Sequence, residues 1–219
     1  MMPPPGPQRP DDAWAAYAAR HSEAEPALLA RLRRATWLRT THPHMLTDPY
    51  QGRLLAMLSQ LLRPHRILEL GTFTGYATLC LAEGLAPGGW IDTVEPNDEL
   101  NELQDAFWTE AGMRDRIVRH NAEAHEVLKR LEGPWDLAWI DADKARTGEY
   151  VEAVLGQTQP GGLILVDNVM WWGKVLEGEN ATDKDARNLH ALNAAWREDP
   201  RVENVLLPIR DGIHALRKR

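Results

Sequence analysis

The sequence predicts a doubly wound α/β domain: a mostly parallel seven-stranded sheet, an antiparallel last strand and extra helices at the N-terminus. Three observations predict it. From Arg66 onward, short apolar runs alternate with stretches of helical period, five times in succession. Each strand–helix repeat needs a crossover, and crossovers join parallel strands. The first apolar run ends in Gly71-Thr72-Phe73-Thr74-Gly75, which suits a tight strand-to-helix turn. The last two runs, Val202–Leu207 and Ile213–Arg217, are separated only by a short turn around Asp211-Gly212, so they pair antiparallel.

In chain order, residues 1–12 hold five prolines and a glycine and are expected to be a disordered tail, leaving 13–219 as one domain. Helices are expected over Trp14–Arg20 and from Pro26 to about Leu38, broken by Thr41-His42-Pro43-His44. Asp48-Pro49 has the chemistry of an N-cap followed by a first-turn proline and opens a helix through Leu62. Strands are expected at Arg66–Leu70, Trp90–Val94, Ile117–His120, Asp136–Ile140 and Leu163–Val166, the last entered by a Pro160-Gly161-Gly162 turn. Between them lie helices reaching to about Leu85, then over Asp98–Ala111, Glu123–Leu131 and Ala145–Leu155. A final helix over Asp183–Arg197 precedes the closing hairpin.

Composition excludes several classes. The 25 Lys and Arg against 32 Asp and Glu leave a net charge of −7, which opposes binding nucleic acid by counter-ion release. The single cysteine, Cys80, rules out an intramolecular disulfide and any Cys-x-x-Cys zinc or redox site. The N-terminus lacks the charged and apolar regions of a secretory signal, and no apolar run approaches the ~20 residues of a membrane span. A soluble protein of a reducing, cytoplasmic setting is expected.

In such a sheet, ligands lie beyond the carboxyl ends of the strands, where strand order switches. The informative residues are therefore those after Leu70, Val94, Ile140 and Val166. The Gly71–Gly75 turn could aim backbone amides at a ligand, but it is not the G-x-G-x-x-G of a dinucleotide site. Glu95 ends the second strand about 20 positions past those glycines, where an acidic residue takes ribose hydroxyls. Taken alone it equally suits a solvent-facing carboxylate before Pro96-Asn97. Asp141 follows the fourth strand, and Asp167-Asn168 follow the fifth. On neighbouring strands, such like charges would repel unless a hard divalent cation lay between them, and an all-oxygen set suits Mg²⁺, Ca²⁺ or Mn²⁺ rather than zinc. The same residues are also common helix and turn caps. Lys144, near a cation, would have its ammonium form disfavoured and could serve as a general base.

The set ELGTFTGYAT, DTVEP, IDADK and DNVMWWGKV, in that order and spacing, resembles the cation-dependent class I O-methyltransferases of the catechol and caffeoyl-CoA type. The closing DPRVENVLLPIRDGIHALRKR is similar to that family's terminal hairpin. The resemblance covers the chain from about residue 26. It implies S-adenosylmethionine as methyl donor, a phenolic small-molecule acceptor, a divalent cation and a homodimer. It places Met45, Glu69, Gly71, Thr72, Glu95, Ala122 and Asp141 on the donor side. It makes Asp141, Asp167 and Asn168 the metal ligands and Lys144 the base, with Asp143, Trp171 and Trp172 walling the acceptor pocket. Ala77 stands where relatives often carry a serine that contacts the donor, and Trp172 replaces a usually small polar residue.

Other features read as structural. Cys80 lies on an apolar helix face, His42 and His44 flank a loop proline, and most of the nine tryptophans read as core or as an oligomer face. No Ser-His-Asp order or nucleophile elbow is present. Two alternatives remain open from sequence: a metal-independent S-adenosylmethionine methyltransferase, and a nucleotide-binding protein without catalysis.

Overall fold

The computed structural model describes residues 10–219. Most of the expected tail lies outside the described residues, and helix α1 (Pro10–Arg20) opens within its last positions. There follow α2 (Ala27–Arg39), α3 (Pro49–Leu62), β1 (Arg66–Leu70), α4 (Tyr76–Ala82), β2 (Trp90–Val94), α5 (Asn101–Glu110) and β3 (Ile117–His120). The chain continues through α6 (Ala124–Val127), β4 (Trp135–Ile140), α7 (Thr147–Gln157), β5 (Thr158–Asp167), α8 (Lys184–Glu198), β6 (Val202–Leu207) and β7 (Ile213–Lys218). The strands form one seven-stranded sheet in the order β3-β2-β1-β4-β5-β7-β6, parallel except for β7, which runs antiparallel to both β5 and β6.

Alternation along the strands divides the core in two. Ile67, Ile91, Leu137, Trp139 and Leu165 point to one face, where α2, α3, α4 and α5 cover them. Leu68, Leu70, Ala138, Ile140, Ile164 and Val166 point to the other, beneath α6, α7 and α8. Burial on both faces is why these strands read as near-continuous apolar runs. Helix α3 starts as expected: the Asp48 side chain accepts the Gln51 N–H at 2.8 Å and Pro49 takes the first position. A cap of this kind contributes about 1 kcal/mol.

Several boundaries depart from expectation, and three elements show how. Helix α4 ends at Ala82 because the chain tightens into three-residue turns through Leu85, where Gly84 packs on the Ser59 backbone. Helix α6 is a single turn continued by tight turns to Leu131. Strand β5 begins at Thr158, so Pro160-Gly161-Gly162 forms an irregularity inside the strand rather than a turn before it; the register jumps from Trp135↔Thr158 to Leu137↔Leu163. Proline and glycine within a strand commonly mark such a bulge.

Strand order reverses at β1, which lies between β2 and β4. The loops leaving β1 and β4 touch there. Asp141 donates its N–H to the Leu70 carbonyl at 2.8 Å, and Gly71 has a φ of 98°. A Cβ on Gly71 would lie 1.9 Å from the Asp141 carbonyl oxygen, so no side chain fits. Gly71→Ala combines a left-handed backbone with an overpacked contact and is expected to destabilise the fold by about 2–4 kcal/mol. Urea unfolding checks this: the midpoint falls at constant slope, and an unchanged midpoint would refute the close approach.

Candidate functional site

The carboxyl edge of the sheet carries a buried hydrogen-bonded chain. Glu69, fully buried on β1, shares its face with Ile67 and so points beneath α4. There its Oε2 accepts the Thr78 and Thr93 hydroxyls, each at 2.5 Å. The Thr93 proton being used on Glu69, the 2.5 Å contact between Thr72 and Thr93 has Thr72 as donor. Glu69 Oε1 is buried with no hydrogen-bond partner among the described residues. Burial pushes the Glu69 carboxyl up to about 8, against the pull of the two threonines and with help from the Asp141 and Glu95 charges.

At the end of β2, Glu95 Oε2 accepts the Phe73 N–H at 2.8 Å and Oε1 accepts the Asn97 N–H at 3.1 Å. Burial raises the Glu95 carboxyl and these two amides oppose the rise. Gly71 and Thr72 both donate to the Val94 carbonyl, and Gly75 donates to Thr72. The amides expected to face a ligand are thus mostly engaged within the protein, and the turn positions Glu95 instead. Each Glu95 oxygen keeps a lone pair for further donors. Of the other residues expected on the donor side, Ala77 is buried in α4, Ala122 is half-buried in the loop after β3, and Met45 is 57% exposed in a short turn before α3.

The second group sits on neighbouring strands. Ile140 pairs with Val166, so Asp141 and Asp167 leave β4 and β5 side by side. Lys144 Nζ lies 2.7 Å from Asp141 Oδ1. Asp167 is buried; its Oδ1 accepts the Gln51 Nε2 at 2.8 Å. Burial, then the Asp141 charge, pushes the Asp167 carboxyl up to about 7, while Lys144, the Asn168 backbone and Arg210 pull it back. Among the described residues no three His, Cys, Asp or Glu cluster as metal ligands; the set here is two aspartates and an asparagine.

Asn168 opens a loop in which it, Trp171, Trp172 and Gly173 all have left-handed backbone. The turn between β6 and β7 holds this loop: Trp172 N–H donates to Asp211 Oδ1 at 2.5 Å, and Met170 N–H to the Asp211 carbonyl at 2.8 Å. The Trp171 indole N–H donates to Asp183 at 3.0 Å, and the Asp183 carboxyl is held well below the usual range by Lys174 and then Trp171. Trp172 is 68% exposed, and Asp143, exposed, caps the turn after Asp141 by accepting the Ala145 N–H at 3.1 Å. Sequence reasoning missed Gln51, Arg210 and Asp211. The turn residues Asp211-Gly212 were a signal for the last, whereas Gln51 reads as an ordinary helix residue.

The Glu69 environment has a measurable consequence. The folded state keeps a proton that the unfolded chain releases near pH 4.5, so this contribution is full below about pH 4.5 and lost as pH rises through about 8. In metal-free protein, Glu69→Gln is expected to flatten the decline of stability with pH by up to ~1.4 kcal/mol per pH unit in that window. Urea midpoints between about pH 5 and 8 measure it; an unchanged slope would place the titration elsewhere.

Comparison with known proteins fits this geometry. The family model described as O-methyltransferase matches residues 19–219. Tricin synthase 2 of Oryza sativa is 33% identical over 81% of this chain, which spans 65% of the rice protein's length. A catechol O-methyltransferase of Niastella koreensis is 33% identical over 75% of this chain and 76% of its own. Among solved structures, the SAH-bound methyltransferase PaMTH1 of Podospora anserina superposes with a TM-score of 0.86 at 27% identity, covering 100% of this chain and 99% of that one. With a matching family model over almost its whole length and relatives above 30% identity, this chain belongs to the O-methyltransferase family.

Proposed function

We propose that this chain moves a methyl group from S-adenosylmethionine to a hydroxyl of a catechol-like or other phenolic small molecule. The observation that carries the reading is the meeting, at one sheet edge, of the Glu69–Gly71–Thr72–Glu95 group with the Asp141–Asp167–Asn168 group. Glu95, half-buried at the end of β2, is the acceptor for the donor's ribose hydroxyls. Glu69, Gly71, Thr72 and Ala77 line the same side, with Met45 and Ala122 flanking, and Trp171, Trp172 and Asp143 border the acceptor. SAH in the Podospora protein supports the donor, and the Niastella relative supports the acceptor class.

Asp141, Asp167 and Asn168 fit a hard divalent cation, Mg²⁺ or Ca²⁺ with Mn²⁺ also compatible. The fit rests on two adjacent carboxylates, one fully buried, and an all-oxygen donor set. A bound cation would offset the two negative charges and acidify a chelated hydroxyl. Lys144, whose Nζ lies at this edge beside Asp141, is the base that would receive the hydroxyl proton. The acceptor oxygen forms its bond to the methyl carbon as the carbon–sulfur bond breaks, and the electron pair stays on sulfur in S-adenosylhomocysteine. The protein's contribution is mainly positioning.

The N-terminal helices expose Trp14, Tyr17, Trp37, Leu38 and Leu61, and such apolar surface suits a homodimer. Light scattering at micromolar protein is expected to give twice the 24.7 kDa chain mass; a monomer would end that reading. No helix among the described residues is long and apolar enough to cross a membrane, and the single buried Cys80 suits a reducing, cytoplasmic setting.

Methyl transfer to catechols, followed with labelled donor, tests the reading. Excess EDTA and Asp167→Ala are each expected to abolish turnover while S-adenosylhomocysteine still binds. Lys144→Met is expected to slow turnover with cation binding intact. Glu95→Ala is expected to weaken donor binding roughly 10- to 150-fold, the value of hydrogen bonds to a charged group. Full methylation in EDTA would favour the metal-independent alternative, and donor binding without any transfer would favour the non-catalytic one.

A further inference from the structure

Gln51 and Arg210 form a relay that ends on Asp167. Gln51 sits in the first turn of α3, its direction set by the Asp48 cap on its own N–H. It is fully buried, and its amide donates to Asp167 Oδ1 at 2.8 Å. Its carbonyl Oε1 accepts Arg210 Nη1 at 3.2 Å. A guanidinium can only donate and a carboxylate can only accept, so the amide has one possible orientation: oxygen to Arg210, nitrogen to Asp167. Arg210 is itself fixed, with its Nη2 donating to the His44 carbonyl at 3.0 Å and its Nε 3.9 Å from Asp48 Oδ2. It stands in the β6–β7 turn with a φ of 54°. Two segments distant in sequence, residues 44–51 and the β6–β7 turn, thus meet behind Asp167, and the Gln51 amide is the group that reaches its Oδ1.

We infer that Gln51 is a positioning residue that locks the Asp167 carboxylate for cation binding, and that Arg210 locks the Gln51 amide. This rests on the cation reading of Asp141, Asp167 and Asn168. With Oδ1 held by the amide, the carboxylate cannot rotate freely, and its remaining lone pairs keep a fixed direction. Without Gln51, the buried carboxylate loses a donor and gains rotational freedom. Partners behind a metal ligand typically change cation affinity 10- to 100-fold when removed.

The test is Mn²⁺ titration of chelator-stripped full-length protein without donor or acceptor, reading free Mn²⁺ by electron paramagnetic resonance. Gln51→Leu is expected to weaken Mn²⁺ binding 10- to 100-fold, while S-adenosylhomocysteine affinity by calorimetry stays within about threefold, a difference of only ~0.65 kcal/mol. Arg210→Met removes the outer member at a partly exposed site. It is expected to weaken Mn²⁺ binding in the same direction by a smaller factor, and it serves as the readout if Gln51→Leu does not fold. Wild-type Mn²⁺ affinity in a folded Gln51→Leu or in Arg210→Met, with Asp141→Asn abolishing binding, overturns the positioning role and leaves the cation reading standing. Absence of Mn²⁺ binding in the wild type overturns both. Equal losses of Mn²⁺ and S-adenosylhomocysteine affinity in Gln51→Leu mark a general structural role and also overturn the proposal.

Discussion

The constraint on which the rest depends is the gathering of Glu69, Asp141 and Asp167 at the carboxyl edge of adjacent strands β1, β4 and β5. Like charges out of water repel and are costly to desolvate. The fold meets that cost differently at each position. Glu69 is deep beneath α4, where two threonine hydroxyls and an elevated pKa keep it supplied with donors or with its own proton. Asp141 is closer to solvent and pairs with Lys144. Asp167, fully buried, has the Gln51 amide, which carries no charge. The Lys144 and Arg210 charges also act on it, against burial and the Asp141 charge.

The antiparallel last strand acquires a purpose from this. Ile213 at the start of β7 pairs with Asp167 at the end of β5, so the turn preceding β7 returns to the ligand edge. A parallel strand would have carried that turn to the opposite end. As built, Arg210 reaches Gln51, and Asp211 holds the backbone of Met170 and Trp172. Left-handed backbone at a non-glycine residue costs roughly 1–2 kcal/mol, and Asn168, Trp171 and Trp172 all adopt it. Asp211, together with the Asn193 amide donating to the Val169 carbonyl at 2.8 Å, is what holds the loop in that shape. Strain confined by outside contacts at a ligand edge is a common property of functional loops.

What was legible in the sequence follows from the range of the forces involved. Strands β1, β2, β3 and β6 begin and end where expected, because each is a short apolar run bounded by turn residues, and the N-cap of α3 is a local pairing. Helix ends were less legible: α4 gives way to tight turns after Ala82, where Gly84 packs on Ser59 of the distant α3. The Pro-Gly-Gly segment reads as a turn locally, and only pairing with β4 draws it into β5. Asp141, Asp167 and Asn168 could be found because parallel topology places strand ends together whatever the side chains do. Gln51 and Arg210 could not, since their partners come from distant parts of the chain, and the Asp211-Gly212 pair marks a turn without saying which loop that turn holds.

Asp141 shows how one residue can serve both halves of the edge through different atoms. Its N–H bonds to the Leu70 carbonyl, and its own carbonyl occupies the space that a side chain on Gly71 would need. Its carboxylate turns the other way, to Lys144. The backbone atoms thus tie the donor-side turn to β4, and the side chain belongs to the charged group shared with Asp167. Backbone geometry is indifferent to the side chain as long as the residue accepts the same φ and ψ. Asparagine does, so the two roles are chemically separable: the β1–β4 contact survives loss of the charge, and the electrostatics of the edge do not.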